Sequence, residues 1–272
     1  MTTGSSFRLA ACSDLHFMAW AETLEPVDWV PALYHALQDI SAQNPDMVVI
    51  NGDLTNGKVR DYDLAMRALS QYVHVPVLYT MGNHEYYGFY EEENYSTKLA
   101  QERFLHFTKQ NAIYFEKSLD NITLFCLSPE ALHPHWHDSA WLSTVQLTWL
   151  RSRLETCSGP IAVFLHQPVN DTVANSENTC FQSLELVQIL SSYPNDVFVV
   201  SGHTHQRMDQ ESQYVLKNGV HYIGGGCVLD PHPQTRFLDI SDRDITLRIR
   251  DHKSVRWIPD YDLTIPFASK VI

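Results

Sequence analysis

Short apolar runs alternate with longer amphipathic stretches along most of the chain, and that alternation predicts its elements. Residues 7–13, 47–50, 75–81, 161–165 and 197–200 are apolar almost throughout, the pattern of strands covered on both faces. Residues 30–41 set Val30, Leu33, Leu37 and Ile40 at helical spacing, and Asn44-Pro45 closes the stretch. Residues 62–72 repeat that spacing through Leu64, Ala65, Ala68 and Leu69, and helices are also expected over 145–154 and 184–190. Residues 114–117 and 122–127 flank Asp120-Asn121 and predict a hairpin. Residues 86–110 turn aromatic (Tyr86, Tyr87, Phe89, Tyr90) and then acidic (Glu91-Glu92-Glu93), which predicts a partly helical excursion with a solvated acidic face. Residues 221–223, 237–240 and 245–249 predict a terminal run of strands. Strands alternating with helices imply an α/β fold with a covered central sheet. With no repeat, low-complexity tract or linker, one domain across 1–272 is expected, its motif-bearing core at 7–210 and further strands at 211–272.

Polar clusters follow these apolar runs: Asp14-Leu15-His16, Gly52-Asp53, Gly82-Asn83-His84-Glu85, His166 and Gly202-His203-Thr204-His205. Ligand sites of α/β folds gather at the carboxyl ends of strands, so the clusters are expected to converge. Asp14 and His16 are two residues apart, as are His203 and His205. In an extended segment such pairs project to one side, which would let each pair reach one ion. Gly82 and Gly202 stand where the chain must turn sharply or let a ligand approach its backbone. Carboxylate and amide oxygens with imidazoles suit Mn, Fe, Zn or Co better than Ca or a soft ion. The candidates include no thiol, which argues against a structural zinc knuckle.

Composition narrows the partners. A chain 44% hydrophobic and 19% charged is an ordinary globular balance, not a disordered one. The net charge of −13 disfavours nucleic acid polymers and anionic membranes, whose binding rests on basic patches. A small anionic substrate is still admitted, because bound cations reverse the local field. No apolar run approaches the ~20 residues that span a bilayer, and residues 1–6 carry no signal-peptide pattern, so a cytoplasmic protein is expected. Cys12, Cys126, Cys157, Cys180 and Cys227 are isolated from one another, which fits a reducing compartment better than a disulfide scaffold.

Taken in order, Asp14-x-His16, Gly52-Asp53, Gly82-Asn83-His84-Glu85, His166 and Gly202-His203-Thr204-His205 resemble the calcineurin-like metallophosphoesterase superfamily over roughly 7–210. The resemblance implies a four-layer αββα sandwich with central mixed sheets and a dinuclear metal centre. It implies that Asp14, His16, Asp53 and His205 hold one ion and that Asn83, His166 and His203 hold the other, with Asp53 bridging. His84 would be the proton donor, and Glu85 would orient His84 or another group of the centre. Two ions ~3.5–4 Å apart neutralise a phosphoryl group and lower the pKa of water, so that a bridging hydroxide attacks phosphorus in line. His84 would then protonate the departing oxygen.

The substrate expectation comes from a departure. Gly52-Asp53-Leu54-Thr55-Asn56-Gly57 lacks the Asp-Arg-Gly ending of protein Ser/Thr phosphatases, and with it an arginine that grips a phosphate dianion. A small phosphodiester such as a cyclic nucleotide is therefore expected. The alternatives are a phosphomonoesterase or pyrophosphohydrolase acting on a nucleotide-type substrate, and a scaffold that has lost catalysis. The complete ligand set stands against the scaffold. His133-Pro134-His135-Trp136-His137 is expected to be an exposed loop, not a further metal site, and could line the substrate entrance with Asn56.

Overall fold

The computed structural model describes residues 6–19, 29–133, 135–136, 138–229 and 231–268. Phe7–Cys12 (β1), Val30–Ala42 (α1), Met47–Asn51 (β2), Val59–Tyr72 (α2) and Val77–Thr80 (β3) come first. A 3-10 turn over His84–Tyr90 leads to Thr97–Thr108 (α3) and the hairpin Phe115–Ser118 (β4) and Thr123–Cys126 (β5). Ala131–Leu132 (β6), Ala140–Trp141 (β7), Thr144–Thr156 (α4), Ile161–Phe164 (β8), Ser183–Ser191 (α5) and Val197–Ser201 (β9) follow. Tyr214–Lys217 (β10), Val220–Gly224 (β11), Gln234–Ile240 (β12), Asp244–Asp251 (β13), Arg256–Trp257 (β14) and Leu263–Pro266 (β15) complete the elements.

Two mixed sheets lie face to face. The first is seven-stranded, in the order β14-β13-β12-β1-β2-β3 with β15 also on β13; the second is six-stranded, in the order β10-β11-β9-β8-β5-β4. Strands β1, β2 and β3 are parallel, as are β5, β8, β9 and β11. Leu9, Ala11, Met47 and Val49 from one sheet meet Leu124, Ala162, Phe164, Phe198 and Val200 from the other in an apolar layer. The outer face of the first sheet (Ala10, Val48, Ile50) packs on Leu33, Leu37, Ala65 and Leu69 of α1 and α2. The outer face of the second (Val163, Val199) packs on Leu150 and Leu154 of α4 and on Leu186 and Ile189 of α5. Each central strand is buried on both sides, which is why it reads as a continuous apolar run. The result is the expected αββα sandwich.

The terminal strands depart from the sequence reading, which does not predict β10, β14 or β15. They lie at or near sheet edges and carry exposed residues such as Leu216, 58% exposed, and Arg256, so no apolar run marks them. Helix α2 begins at Val59, ahead of its apolar spacing, where Lys58 is buried against Glu91 at 2.5 Å. Among the described residues no helix is long and apolar enough to cross a membrane, and all five cysteines are free.

One buried polar cluster ties α1 to the terminal strands. Asp39 accepts hydrogen bonds from Arg250 Nη2 (2.6 Å), Arg250 Nε (2.8 Å) and His252 Nδ1 (2.8 Å), and Thr235 Oγ1 donates to His252 Nε2 at 2.8 Å. Burial pushes the Asp39 carboxyl up, but bonds from His252 and Arg250 outweigh it and hold it below the usual range; burial depresses His252. Both shifts have the same sign in linkage: the unfolded state binds more protons, so their stabilisation is lost as pH falls. Asp39→Asn should therefore destabilise the fold by about 3 kcal/mol at neutral pH, since it leaves Arg250 buried and uncompensated. Melting curves should show the gap from wild type narrowing as the solution is acidified below pH ~4. A gap that widens on acidification would contradict the account.

Candidate metal centre

The predicted clusters all sit at carboxyl ends of parallel strands, β1, β2 and β3 from one sheet, β8 and β9 from the other. The two sheets are pinned together there by Asn51. Its buried amide donates to the carbonyls of Val200 (3.0 Å) and Leu165 (3.4 Å), and its Oδ1 accepts from the Thr80 hydroxyl at 2.9 Å.

The backbone at the site is strained. Asp14 (φ 56°), His16 (φ 44°), Asp53 (φ 50°), His203 (φ 68°) and His205 (φ 50°) are all left-handed. Each such residue costs of order ~1–3 kcal/mol, and such strain clusters at functional sites. This corrects the extended reading of the Asp14/His16 and His203/His205 spacing. These residues lie beyond the strand ends, in turns fixed by bonds such as His16 N–H to the Asp53 carbonyl at 2.9 Å. Gly82 answers a different need: a Cβ there would land on the Asp53 carboxylate and the His166 ring.

The side chains meet in a compact group. Asp14, His16 and His205 form one trio with donor atoms within 4.8 Å of one another, and Asp53, His166 and His203 form another. Asp53 stands between them. Its Oδ2 lies 2.9 Å from His166 Nε2 and 3.9 Å from both His16 Nε2 and His84 Nε2. His205 Nε2 is 3.0 Å from Asp14 Oδ1, and Asn83 Oδ1 is 3.1 Å from His203 Nδ1. All seven expected ligands and His84 are thus gathered in one place. Asp14, Asp53 and His166 are fully buried or nearly so, while His205 is exposed and His84 half-buried, so solvent enters on the His205 and His84 side.

The electrostatics fit cations. Burial alone would raise the Asp14 carboxyl, but His166 and His205 outweigh it and hold it at about 2. Asp53 is also held well below the usual range, His166 and His84 overcoming its burial. Burial works against a charged His166, yet Asp53 and Asp14 lift it to about 9; His205, exposed on one side but desolvated on the side that packs into the site, is lifted to about 11, chiefly by Asp14. Burial leaves His16 and His203 depressed to about 4, as neutral imidazoles fit to act as donors. His166 Nδ1–H donates to the Asn51 carbonyl at 2.8 Å, which turns the buried Nε2 into the site, 2.9 Å from Asp53 Oδ2 but out of line for a hydrogen bond. Two carboxylates, the neutral imidazoles of His16 and His203, and two further histidines whose nitrogens face those carboxylates fit the donor set of a pair of divalent ions, which would displace the protons that the carboxylates hold on His166 and His205.

Several supporting residues escaped the sequence reading. Ser13 Oγ donates to Asp14 Oδ2 (2.5 Å), and Cys227 Sγ donates to the Asp14 carbonyl at 3.4 Å. Asn56 Oδ1 accepts from His84 Nδ1 at 2.8 Å, so the residue placed at the entrance orients the imidazole. Of the two parts expected of Glu85, the contacts fit the second, holding another group of the centre, and not the orienting of His84. Its carboxylate accepts the backbone N–H groups of Gly82 (2.6 Å), Asp53 (3.0 Å) and Thr55 (3.1 Å), clamping the loops after β3 and β2 together. Burial and the Asp53 charge lift that carboxyl to about 7. Ser13 ends a run that reads as ordinary core and Cys227 follows a stretch of glycines, so nothing in their types marks them out.

The sequence matches the family model of the calcineurin-like phosphoesterases over residues 7–207. The chain belongs to that family. Among curated proteins it is 28% identical over 168 residues to the glycerophosphodiester phosphodiesterase GpdQ of Enterobacter lignolyticus, a match covering 60% of this chain and 57% of that protein. It is 21% identical over 225 residues to a 3',5'-cyclic-nucleotide phosphodiesterase, alr5338, of a Nostoc species, covering 79% of this chain and 76% of that one. Its fold is shared with the crystal structure of a dimetal phosphatase from Danio rerio, with a TM-score of 0.75 at 16% identity over 96% of this chain and 99% of the other. Within the matched region the chain gathers aspartate and histidine side chains that could bind metal.

Proposed function

We propose that this protein is a metal-dependent phosphoester hydrolase with a two-ion centre, acting on a small phosphodiester such as a cyclic nucleotide. The position of Asp53 carries the proposal: one carboxylate faces His166 at 2.9 Å, and His16 and His84 at 3.9 Å, so it is placed to be shared. Asp14, His16, Asp53 and His205 would hold one ion, and Asp53, Asn83, His166 and His203 the other, with Mn, Fe, Zn or Co suited to the donors. Such ions supply a nucleophile at neutral pH and neutralise the phosphoryl oxygens.

The chain's own residues do the rest. Asn56 holds His84 by Nδ1, which leaves Nε2 facing the centre, where a proton on it can pass to the departing oxygen. The Gly52–Gly57 loop carries no arginine of the kind with which protein phosphatases grip a dianion, which suits a singly charged diester. Both curated relatives are named as phosphodiesterases. The chain acts as one domain, since β10 to β13 complete both sheets.

The test is turnover of bis-p-nitrophenyl phosphate and p-nitrophenyl phosphate by stripped protein supplied with Mn, Fe, Co, Zn or Mg. The diester should be turned over in preference. Preference for the monoester would replace the diester reading, and no turnover of either would leave a binding scaffold.

A further inference from the structure

The loop between β6 and β7 contains the triple-histidine motif, and the structure gives the described part a different use. The His133 ring stacks on Phe181, with centroids 4.5 Å apart, and its Nδ1 accepts the backbone N–H groups of His135 and Trp136, both at 3.2 Å. His133 is thus engaged within its own loop, while Pro134 and His137 lie outside the described residues. Among the described residues of this loop, Asp138 reaches the site.

Asn83 poses a problem that the other expected ligands do not. A carboxylate offers oxygen either way round, whereas an amide turned over offers NH2 to a cation and repels it. Something must fix which end faces the centre. Asn83 Oδ1 points to His203 Nδ1 at 3.1 Å, and its Nδ2 donates backward to the Tyr87 hydroxyl (3.0 Å) and Asp138 Oδ1 (3.4 Å). The Tyr87 hydroxyl itself donates to Asp138 Oδ1. Gln167, directly after His166, anchors the loop by donating to the Asp138 carbonyl at 3.1 Å and reaches Asn83 Oδ1 at 3.5 Å.

We propose that Asp138, acting directly and through the Tyr87 hydroxyl, is a positioning residue that holds the Asn83 amide with its oxygen toward the second ion. The acceptor is anionic and the donor chain ends on it, so turning the amide would put two oxygens against each other and lose both bonds. The effect is one-sided. Asp138 touches Asn83 and the residue after His166, both belonging to the Asn83/His166/His203 side of the centre and not to the Asp14/His16/His205 side.

The inference rests on the two-ion reading, and its test separates the two. Mn(II) uptake by stripped full-length protein is measured by equilibrium dialysis and calorimetry for wild type, Asp138→Ala, Asp138→Asn and Tyr87→Phe. Wild type should take up two ions. Asp138→Ala should weaken one of them about 10–100-fold and leave the other unchanged. Tyr87→Phe, which keeps the ring that lies 4.3 Å from His84, should weaken the same ion. Asp138→Asn keeps an acceptor oxygen and should restore it. Equal weakening of both ions, no weakening, or failure of Asp138→Asn to rescue would overturn the positioning role while the two-ion reading stood. Fewer than two ions in wild type would overturn both.

Discussion

Replacing Asp53 by asparagine should strip the protein of both ions and lower phosphoester turnover by about a thousandfold or more. The carboxylate is used from every side. Its Oδ1 accepts the His84 backbone N–H at 2.9 Å, and its Oδ2 faces the ring nitrogens of His166, His16 and His84. Asparagine fills the same space but offers a single neutral oxygen, and its NH2 group would have to face either a ring nitrogen or a backbone donor. The lost charge also matters: with Asp53 neutral, Asp14 is the one carboxylate left among the expected ligands of two cations in a buried site. Metal analysis and kcat/KM together check this. An Asp53→Asn protein that keeps both ions would show that the carboxylate is not shared.

His84→Ala should do the opposite to metal content and leave both ions bound. Its loss should fall on the chemical step, lowering kcat by roughly 10²–10⁴-fold for alkyl diesters, whose leaving oxygen needs a proton. Bis-p-nitrophenyl phosphate should suffer far less, because nitrophenolate departs without one. The geometry makes the separation clean. His84 is held by Asn56 through Nδ1 and packs edge-on against His16 at 4.4 Å; it forms a group with His16 and Asp53 but lies outside the Asp14/His16/His205 and Asp53/His166/His203 trios. Equal losses for good and poor leaving groups would contradict a role as acid.

The sequence made the central strands and the convergence of the clusters legible, while the four-layer sandwich came from the family resemblance, and physics explains why. Strands buried on both faces must be apolar throughout, so β2, β8 and β9 announce themselves, and residues at their ends share one edge of the sheets. What stayed hidden depends on contacts between residues far apart in sequence. Asn51 looks like a turn residue beside Gly52, yet it bonds to carbonyls 114 and 149 positions away. Asp138 looks like part of a histidine-rich surface loop until Asn83, 55 residues earlier, is found beside it. The spacing of Asp14 and His16 pointed to the right partners through the wrong conformation. Two-residue spacing brings side chains together in a strand, but here left-handed turns do so.

Because Asp14, Asp53 and Asn83 come from one sheet and His166, His203 and His205 from the other, neither half of the molecule carries a whole cage. During synthesis the polypeptide cannot acquire reactivity in stages. Every expected ligand before His203 waits for the strand that ends at Ser201 to take its place, so the expected centre is complete only once folding has reached that strand.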